Sequence, residues 1–148
     1  MKPTFKIKNW QLLRARGAEG NVVLPEGDFV AVGKRAFAGK HNQYLQSVRI
    51  PNGVSVIKAE AFEECNNLRT VILPTGGNIG LSQGVFAGCT RLREVANSEH
   101  INSIGALAFA GCASLQRIDF GKDLRRIGEG AFSGCRSLSS ISLPSDLR

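Results

Sequence analysis

This chain has few of the residues that chemistry needs. Among its 148 residues are one Trp (Trp10), one Tyr (Tyr44), one Met and two His (His41 and His100). Neither histidine has a motif partner that would make it a general base, and both read as solvated loop residues. No Cys-x-x-Cys pair exists and neither histidine lies near a cysteine, which excludes the usual zinc spacings. No glycine-rich loop ends in Gly-Lys-Ser/Thr, and no Gly-x-Ser-x-Gly elbow appears. No catalytic, cofactor-binding or metal-ligating constellation remains, so a non-enzymatic protein without a cofactor is expected. Nothing resembles an apolar run of about 20 residues, so no membrane-spanning helix is expected. The N-terminus alternates charge with hydrophobe and lacks an apolar h-region, so it does not read as a signal peptide. The chain is then either retained in the cell or cut from a longer one. No Asn-x-Ser/Thr sequon occurs.

Acids are also scarce in one part of the chain. The net charge is +7, yet residues 1–50 hold nine Lys/Arg against three acids, while residues 51–100 hold four against five. The basic excess sits in the first third. Its ordinary reading is a solvated surface, and nucleic acid is not the partner expected from it.

What the chain does have is a repeat. Ile104-Gly105-Ala106-Leu107-Ala108-Phe109-Ala110-Gly111-Cys112 returns as Ile127-Gly128-Glu129-Gly130-Ala131-Phe132-Ser133-Gly134-Cys135. Phe37, Phe62, Phe86, Phe109 and Phe132 mark the frame at spacings of 25, 24, 23 and 23. A period in this range means a solenoid. Each unit contains a first strand ending in Leu-Pro (Leu45 to Pro51, Leu68 to Pro74, Leu138 to Pro144). A second short strand follows (Val54 to Ile57, Ile101 to Gly105, Leu124 to Gly128). Ala-Phe-x-Gly-Cys then reads as a short helical turn ended by glycine. The predicted fold is an α/β right-handed solenoid of short strands and short helical turns. Residues 1–21 form an N-terminal cap and residues 22–148 about five repeats, the last ending in mid-repeat.

One such unit cannot bury its own hydrophobes, whereas stacked units bury Leu on Leu and Phe on Phe. Cys65, Cys89, Cys112 and Cys135 each lie three residues after a repeat Phe and read as small, reduced, buried hydrophobes. In the first repeat Lys40 takes that place, and two extra residues predict a bulged loop over Lys40 to Tyr44. Asn97 stands where a strand-ending Leu or Ile is expected. Either it bonds loop backbone or its strand stops early.

Ile-Gly-x-x-Ala-Phe-x-Gly-Cys-x-x-Leu-x-x-Ile-x-Leu-Pro resembles the BspA-like, or Treponema pallidum type, leucine-rich repeat, over residues 22–148. The resemblance implies a leucine-rich repeat solenoid. It also implies a surface or secreted protein that binds other proteins or host-matrix components.

With no pocket chemistry, function falls to a surface. Outward residues of the first strands form columns: Gln46, Arg69, Arg93, Gln116, Ser139; then Ser47, Thr70, Glu94, Arg117, Ser140; then Val23, Arg49, Ile72, Ala96, Asp119, Ser142. The candidate interaction face is therefore Arg49, Arg69, Ile72, Arg93, Arg117 and Asp119, since Arg is frequent in binding hot spots. The leading expectation is a protein-interaction module, with adhesion or host-ligand binding as its use. The alternatives are a basic binder of polyanions (nucleic acid or acidic polysaccharide) or a structural spacer in a larger protein. The unfinished last repeat leaves an apolar end, which predicts either continuation past Arg148 or a homodimer through that end.

Overall fold

The computed structural model describes residues 2–145 and 147; Met1, Asp146 and Arg148, at the outer limits of the expected cap and solenoid, lie outside the described residues. An N-terminal hairpin comprises β1 (Thr4–Lys8) and β2 (Gln11–Arg16). First strands follow once per coil as β3 (Gly20–Val23), β5 (Leu45–Arg49), β7 (Thr70–Ile72), β9 (Glu94–Ala96), β11 (Arg117–Asp119) and β13 (Ser140–Ser142). Second strands alternate with them as β4 (Ala31–Val32), β6 (Val56–Ile57), β8 (Ile79–Leu81), β10 (Ile101–Ile104) and β12 (Arg126–Ile127). The second strands extend the hairpin into one seven-stranded sheet, β1-β2-β4-β6-β8-β10-β12. Only β1 and β2 are antiparallel. The first strands stack as β3-β5-β7-β9 and, separately, β11-β13.

Ladders of identical side chains hold the coils together. Leu45, Leu68, Leu92 and Leu115 are fully buried, as are Phe37, Phe62, Phe86 and Phe109. Successive rings of Phe37, Phe62, Phe86, Phe109 and Phe132 stack with centroids 4.6, 5.6, 5.4 and 5.3 Å apart. These spacings match the advance of about 4.8 Å per strand in a sheet.

The expected helical turn does not form. Among the described residues the only helical pieces are two 3-10 turns, Lys40–Asn42 and Ser98–His100. The Ala-Phe-x-Gly-Cys segments are instead runs of tight turns, and the reason is backbone handedness. The residue two before each ladder Phe holds positive φ (Arg35, Glu60, Gly84, Leu107, Gly130), and so does the residue two after (Gly39, Glu64, Gly88, Gly111, Gly134). Left-handed residues on both sides of Phe interrupt any helical run. Hydrogen bonding then splits by position. Glu60, Phe62 and Glu64 donate their amides to Gln83, Val85 and Ala87 of the next coil at 2.9, 2.9 and 2.7 Å. The intervening amides of Ala61, Glu63 and Cys65 close local turns onto residues three earlier. The turns thus join the coils by backbone bonds as the strands do.

Each cysteine adds one bond to this arrangement. The thiols of Cys65, Cys89, Cys112 and Cys135 donate to the carbonyls of Phe37, Phe62, Phe86 and Phe109 in the preceding coil, at 3.1–3.4 Å. All four are free. Three are buried and Cys135, in the last coil, is half-buried. Burial pushes the thiol of Cys65 up to about 12 and raises those of Cys89, Cys112 and Cys135 as well. In the first coil Lys40 is exposed and the equivalent task falls to Asn42. Its buried side chain donates to Ala15 O and Phe37 O and accepts from Ala18 N. The two extra residues in that repeat carry Asn42 into place.

Candidate interaction surface

The first-strand sheets carry the outward columns, and their register sorts the sequence candidates. A register shift at Gln46 resets the alternation along β5, so that Leu45 and Val48 are both buried and Gln46 and Arg49 both exposed. Arg49 pairs in register with Ile72, and Ile72 with Ala96. Arg69 belongs to a different column: its amide donates to Gln46 O at 2.7 Å, and the Arg93 amide donates to Arg69 O at 2.8 Å. Arg69 and Arg93 are thus neighbours one coil apart, while Arg49 stands beside half-buried Ile72. The three arginines do not form a single stack.

Arg117 and Asp119 lie across a break. No ladder joins β9 to β11, and the residue after β9, Asn97, departs from the other coils. It takes a left-handed conformation with φ of 67° and its side chain donates to Leu73 O in the preceding coil at 2.8 Å. β9 itself ends at Ala96, in register with the ends of β5 and β7 at Arg49 and Ile72. The chain turns through Ser98–His100, and the Ser98 hydroxyl donates to Asp119 O. Gly121 passes so close to this turn that a Cβ would lie 2.5 Å from Glu99 O, which explains glycine where other coils have proline. The break opens a hollow of about 360 Å³ lined by Arg93, Glu94, Gln116, Arg117 and Asp119, among others. Within it the Arg117 guanidinium donates to the Asp119 carboxylate at 2.8 Å, and both side chains remain solvent-accessible. Arg93 has no such partner among the described residues. Arg49 lines a second hollow, of about 280 Å³, with Val23, Glu26, Asn52 and Thr75 at the strand ends.

The structure therefore gathers Arg93, Arg117 and Asp119 in one hollow, sets Arg69 beside them, and leaves Arg49 and Ile72 toward the other end. Glu94 and Gln116, already members of the outward columns, join the site, and so does Ser98, which the sequence does not single out. The signal for Ser98 is its neighbour Asn97, which stands where a strand-ending Leu or Ile is expected. The histidines stay apart from this surface: His41 is exposed in the Lys40–Asn42 turn, and His100 lies 3.6 Å from the Glu99 carboxylate.

A seven-stranded sheet on one side and stacked first strands on the other, joined by a phenylalanine ladder, can be compared with known proteins. No curated protein matches the chain. Solved structures do. A leucine-rich cell surface protein of Faecalibacterium prausnitzii is 23% identical with a TM-score of 0.82, covering 97% of this chain and 41% of its own. A leucine-rich repeat protein of Bacteroides ovatus is 26% identical with a TM-score of 0.78, covering 99% and 40%. The Treponema pallidum leucine-rich repeat protein is 25% identical with a TM-score of 0.80, covering 96% and 80%. The chain thus spans about two fifths of the length of the first two. The model of the BspA type leucine rich repeat region matches residues 30–148 in six copies, and the chain belongs to that family.

Proposed function

We propose that this chain is a non-enzymatic protein-interaction module whose contact surface is the outward face of β5, β7, β9 and β11. The family is an interaction scaffold by architecture: a stacked solenoid presents an extended surface rather than an enclosed pocket. The observation that supports this face is the exposed Arg69–Arg93 column running into the hollow at the β9–β11 break. Backbone ladders fix these groups before any partner arrives, so binding orders little that was mobile. Arg49, Ile72, Arg117 and Asp119 widen the surface and mix both charges with an apolar contact. Adhesion to matrix or host proteins is the use this reading favours, in keeping with a relative described as a cell surface protein.

The test is binding of the purified chain to a panel of immobilised extracellular-matrix proteins. Replacing Arg69 and Arg93 together by Ala should weaken any specific contact by roughly tenfold or more, while the melting temperature shifts by only a few degrees. Unchanged affinity would place the contact elsewhere, at the Lys40–Tyr44 loop or the N-terminal hairpin.

A further inference from the structure

The outer face of the N-terminal hairpin carries charge that the solenoid does not need. On its inner face Phe5, Ile7, Leu12 and Ala15 close the first coil, with the Phe5 ring 6.5 Å from that of Phe37. The outer face holds Thr4, Lys6 and Lys8 on β1 and Arg14 and Arg16 on β2, all exposed. Register sets Lys6 directly across from Arg14, and Thr4 across from Arg16. Like charges directly opposite one another destabilise a strand pair. Residues 1–18 contain no Asp or Glu. Among the described residues no carboxylate pairs with Lys6, Arg14 or Arg16.

Protection of a free sheet edge explains only part of this. Lysines on an edge strand discourage edge-to-edge pairing, and β1 is such an edge. β2 is not: β1 pairs with it on one side, and on the other β4 pairs at Gln11 and Leu12 while the Ala15 amide donates to Ala36 O at 2.8 Å. Arg14 and Arg16 therefore need another reason. Together with Thr4 and Phe5, the side chains of Lys6, Arg14 and Arg16 line a hollow of about 190 Å³ that no carboxylate enters.

We propose that this hairpin face is a binding site for a linear sulfated polysaccharide, separate from the first-strand surface. Arg14 and Arg16 each hold a sulfate group through paired N–H donors, and Lys6 adds a point charge between them. Outward residues along a strand lie about 7 Å apart and cross-strand partners about 5 Å. The cations thus form a short two-row array that meets charges repeating along a chain. A single-stranded nucleic acid is fitted less well, because it needs aromatic platforms for its bases. Phe5 is turned inward onto Phe37, and exposed Trp10 shares its hollow with the carboxylate of Asp28.

Heparin is the probe, titrated into the 148-residue chain by calorimetry at rising salt. Arg14→Gln/Arg16→Gln should bind about tenfold more weakly. Arg69→Gln/Arg93→Gln removes the same charge from the other face and should change affinity less than about twofold. Equal losses in both variants, or no heparin binding at low salt, would overturn the site. Arg14→Gln should leave the melting temperature unchanged or raise it, since repulsion from Lys6 is relieved. A fall of several degrees would make Arg14 structural and overturn the proposal. If the double variant does not fold, Lys6→Gln serves and should weaken binding at least threefold; no loss there counts against the site. Oligothymidylate or inorganic sulfate binding as tightly as heparin, with the same loss in the variants, would overturn the polysaccharide assignment.

Discussion

Leu107 holds a φ of 60° where the neighbouring coils place Gly84 and Gly130. A left-handed conformation costs a side-chain-bearing residue about 1–2 kcal/mol. The Leu107 side chain is half-exposed and its methyl lies over Gly130, where an added Cβ would meet it at 2.9 Å. Leu107→Gly should therefore stabilise the fold by roughly 0.5–1 kcal/mol, once the extra freedom of glycine in the unfolded chain is subtracted. Gly130→Ala should destabilise by about 1–2 kcal/mol. Chemical denaturation of both variants checks the opposite signs. The cysteines make a second residue-scale prediction. Unfolded thiols ionise near 9.0, whereas burial holds folded Cys65 up to about 12 and raises the other three. A folded value above the unfolded one means stability that is fully present below pH 9 and is lost as pH rises toward 12. The melting temperature should thus hold steady to about pH 9 and then fall, and Cys89→Ala should flatten that fall. In native thiol labelling Cys135 should react first, because it is only half-buried.

At the scale of elements, the ladder makes equivalent residues unequal. Phe86 is fully buried between the rings of Phe62 and Phe109. Phe132 is half-buried, with Phe109 stacked on one side and Phe120 tilted against it at 6.2 Å. Phe86→Ala should cost about 3–5 kcal/mol, since neither neighbouring coil can collapse into the void. Phe132→Ala should cost clearly less, and equal losses in denaturant titration would contradict the ladder account. The two-stranded β11-β13 sheet should also open more readily than β3-β5-β7-β9. All three residues of β13 are exposed, whereas β5 and β7 are flanked on both sides. Hydrogen exchange should be fastest at β13 and slowest at β5 and β7.

For the whole molecule, the two ends differ. The hairpin covers the first coil with Phe5 and Ile7. At the other end Ile127, Phe132, Cys135 and Leu138 are partly buried, and Ile141 and Leu143 are exposed. In the turn segment the forward-pointing amides of Gly130, Phe132 and Gly134 meet no following coil among the described residues. Exposed apolar surface of this kind favours association. Self-association of the 148-residue chain through this face is the expected outcome. In a two-fold pair the turns would set donors against donors, so contact would run through the edges of β12 and β13, where an antiparallel pairing matches donors with acceptors. Sedimentation at rising concentration checks it; a monomer throughout, with Ile141 and Leu143 still exposed, counts against the pair.

The sequence by itself determined the solenoid, because stacking is a periodic problem. A hydrophobe recurring every 23 to 25 residues has one economical burial, on its own copy in the next coil. It determined for the same reason the phenylalanine ladder, the in-register cysteines and the outward columns of the first strands. It misread the Ala-Phe-x-Gly-Cys segment as helical. Local propensity does not reveal that Arg35, Glu60, Glu64 and Leu107 adopt positive φ to send amides to the next coil. Only the tertiary structure decided that Asn97 bonds back to Leu73 and that Arg93 shares a hollow with the Arg117–Asp119 pair. It alone set Lys6 against Arg14, because cross-strand register depends on the bulge between Lys6 and Ile7, which no spacing in the chain records. Features that repeat are written in the period, whereas single departures from it take their meaning from the neighbouring coil.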